Sequence, residues 1–253
     1  MQGQIERLGR RFQPRLHFRQ SRGLGNTSIQ TLAVWMSDVT AAVMTDFSDL
    51  IDGYQRFRTS EYRRHRDRWS GLSEGQSPRV MVIACSDSRV DPAQIFDTVP
   101  GEIFTVRNIA NLVPPFELGG GRHGVSAALE FAVTQLEVPE IVVLGHGSCG
   151  GVHAALTQRF KGAPPGRGGF IDHWVDMLDE ARERIVGEFG EGPEAVRAME
   201  LETVRVSLRN LRTFPCIPER EAEGKLKLHG AYFAIADGEL HVMDDHSGEF
   251  APA

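Results

Sequence analysis

Three short runs constrain this chain more than any other feature: RVMVIAC (79–85), EIFTVRN (102–108) and EIVVLGH (140–146). Each is rich in Val and Ile, and none alternates cleanly between apolar and polar residues. A strand with one wet face alternates, whereas central strands of a parallel sheet are apolar on both faces and covered by helices. Between the second and third runs, HGVSAALEFAVTQLEV (123–138) repeats apolar residues at 125, 129, 132, 133 and 136, one face of a helix. Strand, helix and strand over that distance make a βαβ unit, expected to be right-handed.

The flanking segments complete an α/β reading. Phe47, Leu50, Ile51, Tyr54 and Phe57 recur at spacings of three and four, and EYRRHRDRWSGL (61–72) continues helical until GQSP (75–78) stops it. Arg63, Arg64, Arg66 and Arg68 read as solvated helix surface, not as a nucleic-acid contact. Further helices are expected over about 171–188 and 193–211, with GEFGEGP between them. Asp237-Gly238 within KLKLHGAYFAIADGELHVM (225–243) predicts a hairpin at a sheet edge. The expected fold is α/β: a mostly parallel central sheet flanked by helices, with an N-terminal helical arm and a C-terminal edge hairpin. Residues 1–43 read as a basic extension and 44–253 as one domain that includes the arm.

Composition narrows the classes. The net charge of −6 argues against a general nucleic-acid partner, although six Arg crowd residues 1–26. No run approaches the length of a membrane span, and the N-terminal segment lacks the apolar core and cleavage site of a secretory signal. Three cysteines, at 85, 149 and 216, give no disulfide framework and suit a reducing compartment, so a cytoplasmic location is expected.

The reactive residues fall at strand ends. Cys85 closes the first run, His146 closes the third, and Cys149 follows three residues on in LGHGSCGG. In an open parallel sheet the carboxyl ends of the strands converge on a crevice where ligands bind. Two thiolates and an imidazole favour Zn²⁺ over Mg²⁺ or Ca²⁺, and three protein ligands leave the fourth position of a catalytic site open. From the residues alone, an ordinary buried thiol at Cys85 or a redox or nucleophilic cysteine remains an alternative, the latter weakened by the lack of a C-x-x-C pair. The phosphate-loop pattern G-x-x-x-x-G-K-[ST] does not occur, and a nucleotide loop is not expected.

The segments CSDSRV (85–90) and GHGSCGG (145–151) resemble the two signature motifs of the β-class carbonic anhydrases. The resemblance extends through PGEIFTVRNIANLVPP (100–115), SAALEFAV (126–133), ETVRVSLRNLRTFP (202–215) and LHGAYFAIADGEL (228–240), and covers roughly residues 46–243. It implies one Zn²⁺ per chain on Cys85, His146 and Cys149, with Asp87 and Arg89 as the catalytic pair. In that family the aspartate either accepts a hydrogen bond from the metal-bound water or becomes a fourth ligand that closes the site. The implied reaction is reversible hydration of carbon dioxide to bicarbonate and a proton by attack of zinc-bound hydroxide, in a homodimer or higher even homo-oligomer. Val90, Val99, Phe104 and Gly150 are candidates for the substrate pocket, some supplied across a subunit boundary. Val99 stands where plant-type members carry glutamine, and Val82 where some members carry the tryptophan of an allosteric bicarbonate site; that site is not expected here. A carbonyl sulfide or carbon disulfide hydrolase on the same ligands is the nearest alternative. A non-catalytic zinc-stabilised interaction protein is the alternative of another kind.

Overall fold

The computed structural model describes residues 46–119 and 121–253. The basic extension (1–43) lies outside the described residues. The chain divides into two units between His65 and Arg66. In the first, Asp46 caps helix α1 (Phe47–Thr59): its carboxylate accepts from the amides of Ser48 and Asp49, and the Asp49 carboxylate accepts from the amide of Asp46. A short helix α2 (Glu61–Arg64) follows. The apolar stripe foreseen on α1 forms, and in the single chain Phe47 is 75% and Leu50 59% exposed.

The second unit begins with α3 (Arg66–Glu74), followed by β1 (Val80–Cys85), α4 (Pro92–Ile95), β2 (Ile103–Asn108) and α5 (Gly124–Glu130). A π-helical turn over Phe131–Gln135 widens the end of α5. Then come β3 (Glu140–His146), α6 (Gly150–Leu156), α7 (Gly169–Val175), α8 (Asp179–Phe189), α9 (Pro193–Leu211) and α10 (Cys216–Ala222). The chain closes with β4 (Lys227–Ala234), β5 (Glu239–Met243) and β6 (Phe250–Pro252). Six strands form one sheet in the order β2-β1-β3-β4-β5-β6. The first four are parallel and the last two antiparallel, with Gly238 in the left-handed region at the β4–β5 turn. The three Val/Ile runs are neighbours in the parallel part of the sheet, but only β1 and β3 are central; β2, expected to be covered on both faces, is the edge strand and has no fully buried residue.

Burial follows from that placement. Met81, Ile83, Ile141 and Val143 share one cluster with Val204, Leu208 and Leu211 of α9 and with Leu129 of α5. Val82, Ala84, Leu144 and Ala231 form a second cluster, with Ile95 and Phe96 at its margin. A third surrounds the strand ends and gathers Cys85, Val90, Ala110, Leu112, Cys149 and Val152. The helix α9 presses closely on β3: a Cβ at Gly145 would lie 2.7 Å from the Cγ2 of Val204. Gly145→Ala therefore overpacks the sheet, with an expected cost of about 1–3 kcal/mol. The measurement is a urea titration, in which the midpoint falls at constant slope.

Candidate metal centre

Parallel register puts the carboxyl ends of β1 and β3 side by side. Ala84 pairs with Leu144, so Cys85 and His146 leave adjacent strands at the same rim. Residues 147–149 then turn into α6, and this turn returns Cys149 to the rim. Ser148 takes a left-handed backbone (φ 56°), as do Ala110 (φ 62°) and Asn111 (φ 49°) in the turn after β2. Left-handed conformations of non-glycine residues cost energy and persist only where their surroundings hold them. Here two of them adjoin the same three side chains.

The Sγ atoms of Cys85 and Cys149 are 3.9 Å apart, and with a ring nitrogen of His146 they form a group whose ligand atoms all lie within 4.8 Å of one another. All three residues are buried. Among the described residues this is the convergent set of metal-ligating groups, and Asp87 is outside it. The His146 ring places Nδ1 2.8 Å from the Gly147 carbonyl. A carbonyl only accepts, so Nδ1 carries the hydrogen and the lone pair belongs to Nε2. That Nε2 is buried without a hydrogen-bond partner. An unsatisfied buried nitrogen beside two thiols is costly as it stands, and a cation taking its lone pair removes the cost.

The sulfurs are prepared for negative charge. Backbone amides of Asp87 and Ala110 serve Cys85, and those of Val152 and Gly151 serve Cys149. The contact between the two sulfurs lowers the Cys85 thiol and raises the Cys149 thiol, so the pair sheds one proton readily and resists losing the second. A divalent cation offsets the repulsion between two thiolates at this distance. Two sulfurs, one neutral imidazole and no fourth protein ligand match an open tetrahedral zinc site. Cys85, His146 and Cys149 would hold the metal.

Asp87 and Arg89 stand beside this set as a fork. Arg89 Nε donates to Oδ1 of Asp87 at 2.9 Å and Nη2 to Oδ2 at 2.7 Å, while the Arg89 amide also reaches Oδ1 at 3.0 Å. The Arg89 guanidinium holds the Asp87 carboxyl far below the usual carboxylate range. Nη2 also donates to the Ser148 carbonyl at 3.0 Å, tying the fork to the turn that carries Cys149. From behind, Arg107 donates to the carbonyls of Cys85 and Asp87 and to the Asp91 carboxylate, bracing the whole 85–91 segment. Asn108 closes the next turn by bonding both the amide and the carbonyl of Leu112.

Other residues read from the sequence fall in different places. Val90 is buried in the cluster that contains Cys85 and Cys149, and Gly150 opens α6 directly after Cys149. Phe104 sits opposite Met81, four residues short of the strand end that bears Asn108, and stacks on Phe131. Val99 is exposed in the turn before β2. Within one chain neither of these two is brought to the three ligands. Two polar residues not foreseen are Glu200 on α9 and Tyr232 on β4, both buried against the 147–149 turn. Glu200 carried one signal. It interrupts the apolar stripe Val196–Val204–Leu208 of its helix, where a carboxylate is expensive unless it has partners. A cleft of about 780 Å³ opens beside this pair, lined by Gly147, Ser148, Arg197, Glu200 and Tyr232 among others, and by none of Cys85, His146 and Cys149. The donor set, not the size of a cleft, locates the chemistry.

Comparison with known proteins agrees with this geometry. The sequence model described as carbonic anhydrase matches residues 80–240. A curated carbonic anhydrase from Synechocystis is 35% identical over 198 residues, covering 77% of this chain and 70% of that protein. The structure of the β-carbonic anhydrase CcaA superposes with a TM-score of 0.75 at 33% identity, covering 81% of this chain and 91% of the other. One of two tetrameric β-carbonic anhydrases from Sordaria macrospora superposes with a TM-score of 0.66 at 27% identity, covering 81% and 98%. The chain belongs to the carbonic anhydrase family, in its β class.

Proposed function

We propose that this chain catalyses the reversible hydration of carbon dioxide to bicarbonate and a proton, with one Zn²⁺ per chain on Cys85, His146 and Cys149. The observation that carries the reading is the joint placement of two buried thiols and a bare Nε2 beside the Asp87–Arg89 fork. A bound zinc supplies Lewis acidity that makes water a nucleophile near neutral pH. The protein does the rest. Ionised Asp87 can only accept, so it would accept a hydrogen bond from the attacking water and thereby turn a lone pair of that water towards carbon. Arg89 fills the carboxylate's other lone pairs and restrains it from swinging into the metal's open position. Val90 and the neighbouring apolar wall offer a dry contact for a neutral linear substrate, which needs little positive binding.

The finer parts of the reading have separate supports. We assign the chain to a homodimer or higher even homo-oligomer: the apolar stripe of α1 is exposed in the single chain, and the Sordaria relatives are tetrameric. A second copy of the chain covers that stripe, and 44–253 acts as one catalytic domain with its arm. The location is cytoplasmic, supported by the sparse cysteines; among the described residues no helix is long and apolar enough to cross a membrane. The test is a stopped-flow hydration assay with carbon dioxide, run beside carbonyl sulfide on the same preparation. Expected is carbon dioxide hydration that a chelator abolishes and zinc restores. A zinc-loaded protein that hydrolyses carbonyl sulfide and leaves carbon dioxide untouched would overturn it.

A further inference from the structure

Glu200 and Tyr232 are each 3% exposed, and the fork described above uses neither. A buried carboxylate is retained only where hydrogen bonds offset its lost hydration. Glu200 has two partners. Its Oε2 accepts from the Tyr232 hydroxyl at 2.8 Å and its Oε1 from the Cys149 amide at 3.4 Å. The same hydroxyl lies under the start of the turn, where a Cβ at Gly147 would come within 2.8 Å of it. The pair therefore touches both ends of Gly147–Ser148–Cys149.

That turn has three tasks. It follows directly from His146, it ends in Cys149, and its Ser148 carbonyl receives Nη2 of Arg89. Tyr232 is fixed in turn from the cleft side, where the Arg197 guanidinium lies 3.6 Å from the centre of its ring. Burial, and then the bond to Glu200, push the phenol above its ordinary range, so it remains a donor.

We propose that Glu200 and Tyr232 are positioning residues, a buried brace that sets the 147–149 turn and through it the placing of His146, Cys149 and Arg89. Neither touches the reacting atoms. The inference deepens the zinc reading and rests on it. Partners behind metal ligands commonly change metal affinity by about 10- to 100-fold when removed.

The test compares Tyr232→Phe, Glu200→Ala and Glu200→Gln with Glu202→Gln, each assayed for zinc release to a chromophoric chelator and for the visible spectrum of the cobalt(II) form. Glu202 is a control on the same helix, buried but bound by Arg184, Arg205 and Arg209. Expected for Tyr232→Phe and Glu200→Ala is zinc release about tenfold faster with a shifted cobalt spectrum. Glu200→Gln keeps an acceptor for the Cys149 amide and stays near wild type. Glu202→Gln lowers the Tm and leaves release and spectrum unchanged. If Glu200→Ala does not fold, Tyr232→Phe, which removes one oxygen, decides alone. Folded Tyr232→Phe with wild-type release and spectrum would overturn the brace. A wild-type protein with no tetrahedral cobalt–thiolate spectrum would overturn the zinc reading itself.

Discussion

Cys149→Ser is expected to lose zinc and hydration activity together. Serine keeps the size of the side chain, but its hydroxyl is a poor anion near neutral pH, and the site needs two thiolates to compete for a borderline-soft cation. The Cys85 sulfur at 3.9 Å raises the Cys149 thiol, so the second thiolate forms readily only with a cation to offset the repulsion. A hydroxyl there leaves one sulfur and one imidazole, too few to hold the metal. Lewis-acid activation is worth several kcal/mol, and about 1.4 kcal/mol is a factor of ten, so the rate falls by about 10³-fold or more. Zinc analysis and stopped-flow hydration on the same dialysed sample check both halves. The fold is expected to survive, since Cys149 belongs to one of three buried clusters and serine changes a single atom of it.

Arg89→Lys is expected to keep zinc and lower kcat/KM by about 10²-fold, the usual scale for losing one preorganised donor. Charge is not what the position requires. Arg89 uses a planar fork, with Nε and Nη2 on the two oxygens of Asp87, and Nη2 spans to the Ser148 carbonyl as well. An ammonium on a flexible stem cannot hold both oxygens and the carbonyl in one geometry. Asp87 is then free to turn towards the metal, where it would occupy the position kept for water. Zinc content at wild-type level with a depressed rate separates this outcome from that of Cys149→Ser. A rate within twofold of wild type would show that Arg89 is an ordinary surface ion pair.

How much of this was legible in sequence depends on where each signal is local. The strands β1 and β3 were readable as central because Val and Ile runs apolar on both faces suit few other settings, whereas β2, read in the same way, is an edge strand whose Thr105, Arg107 and Asn108 break the apolar run. The β4–β5 hairpin announced itself through Asp237-Gly238. The strand β6 did not: three residues ending in Pro252 carry no period, and only pairing with β5 makes them a strand. The single helix read over about 171–188 is two, α7 and α8, joined by a 3₁₀ step at Asp176–Leu178. The apolar spacing runs through that step, so periodicity alone could not reveal it.

The site divides in the same way. Cys85 and His146 were legible as candidate ligands because they end parallel strands, which brings them to one rim of the sheet. Arg107 lies near the end of the run EIFTVRN, but its three bonds depend on how the 85–91 loop folds back. Glu200 and Tyr232 lie 32 residues apart and meet only because α9 crosses β3 and β4. Nothing short-range connects them to Cys149. The left-handed turns at Ala110, Asn111 and Ser148 were equally silent, since none is a glycine.

The central claim is that two sulfurs and one imidazole hold a zinc ion whose remaining position is open. Zinc K-edge X-ray absorption on the loaded wild-type protein tests it most directly. The expected result is two sulfurs at about 2.3 Å, one imidazole nitrogen at about 2.0 Å and one further light atom. A shell of four sulfurs, or of nitrogen and oxygen alone, would contradict it.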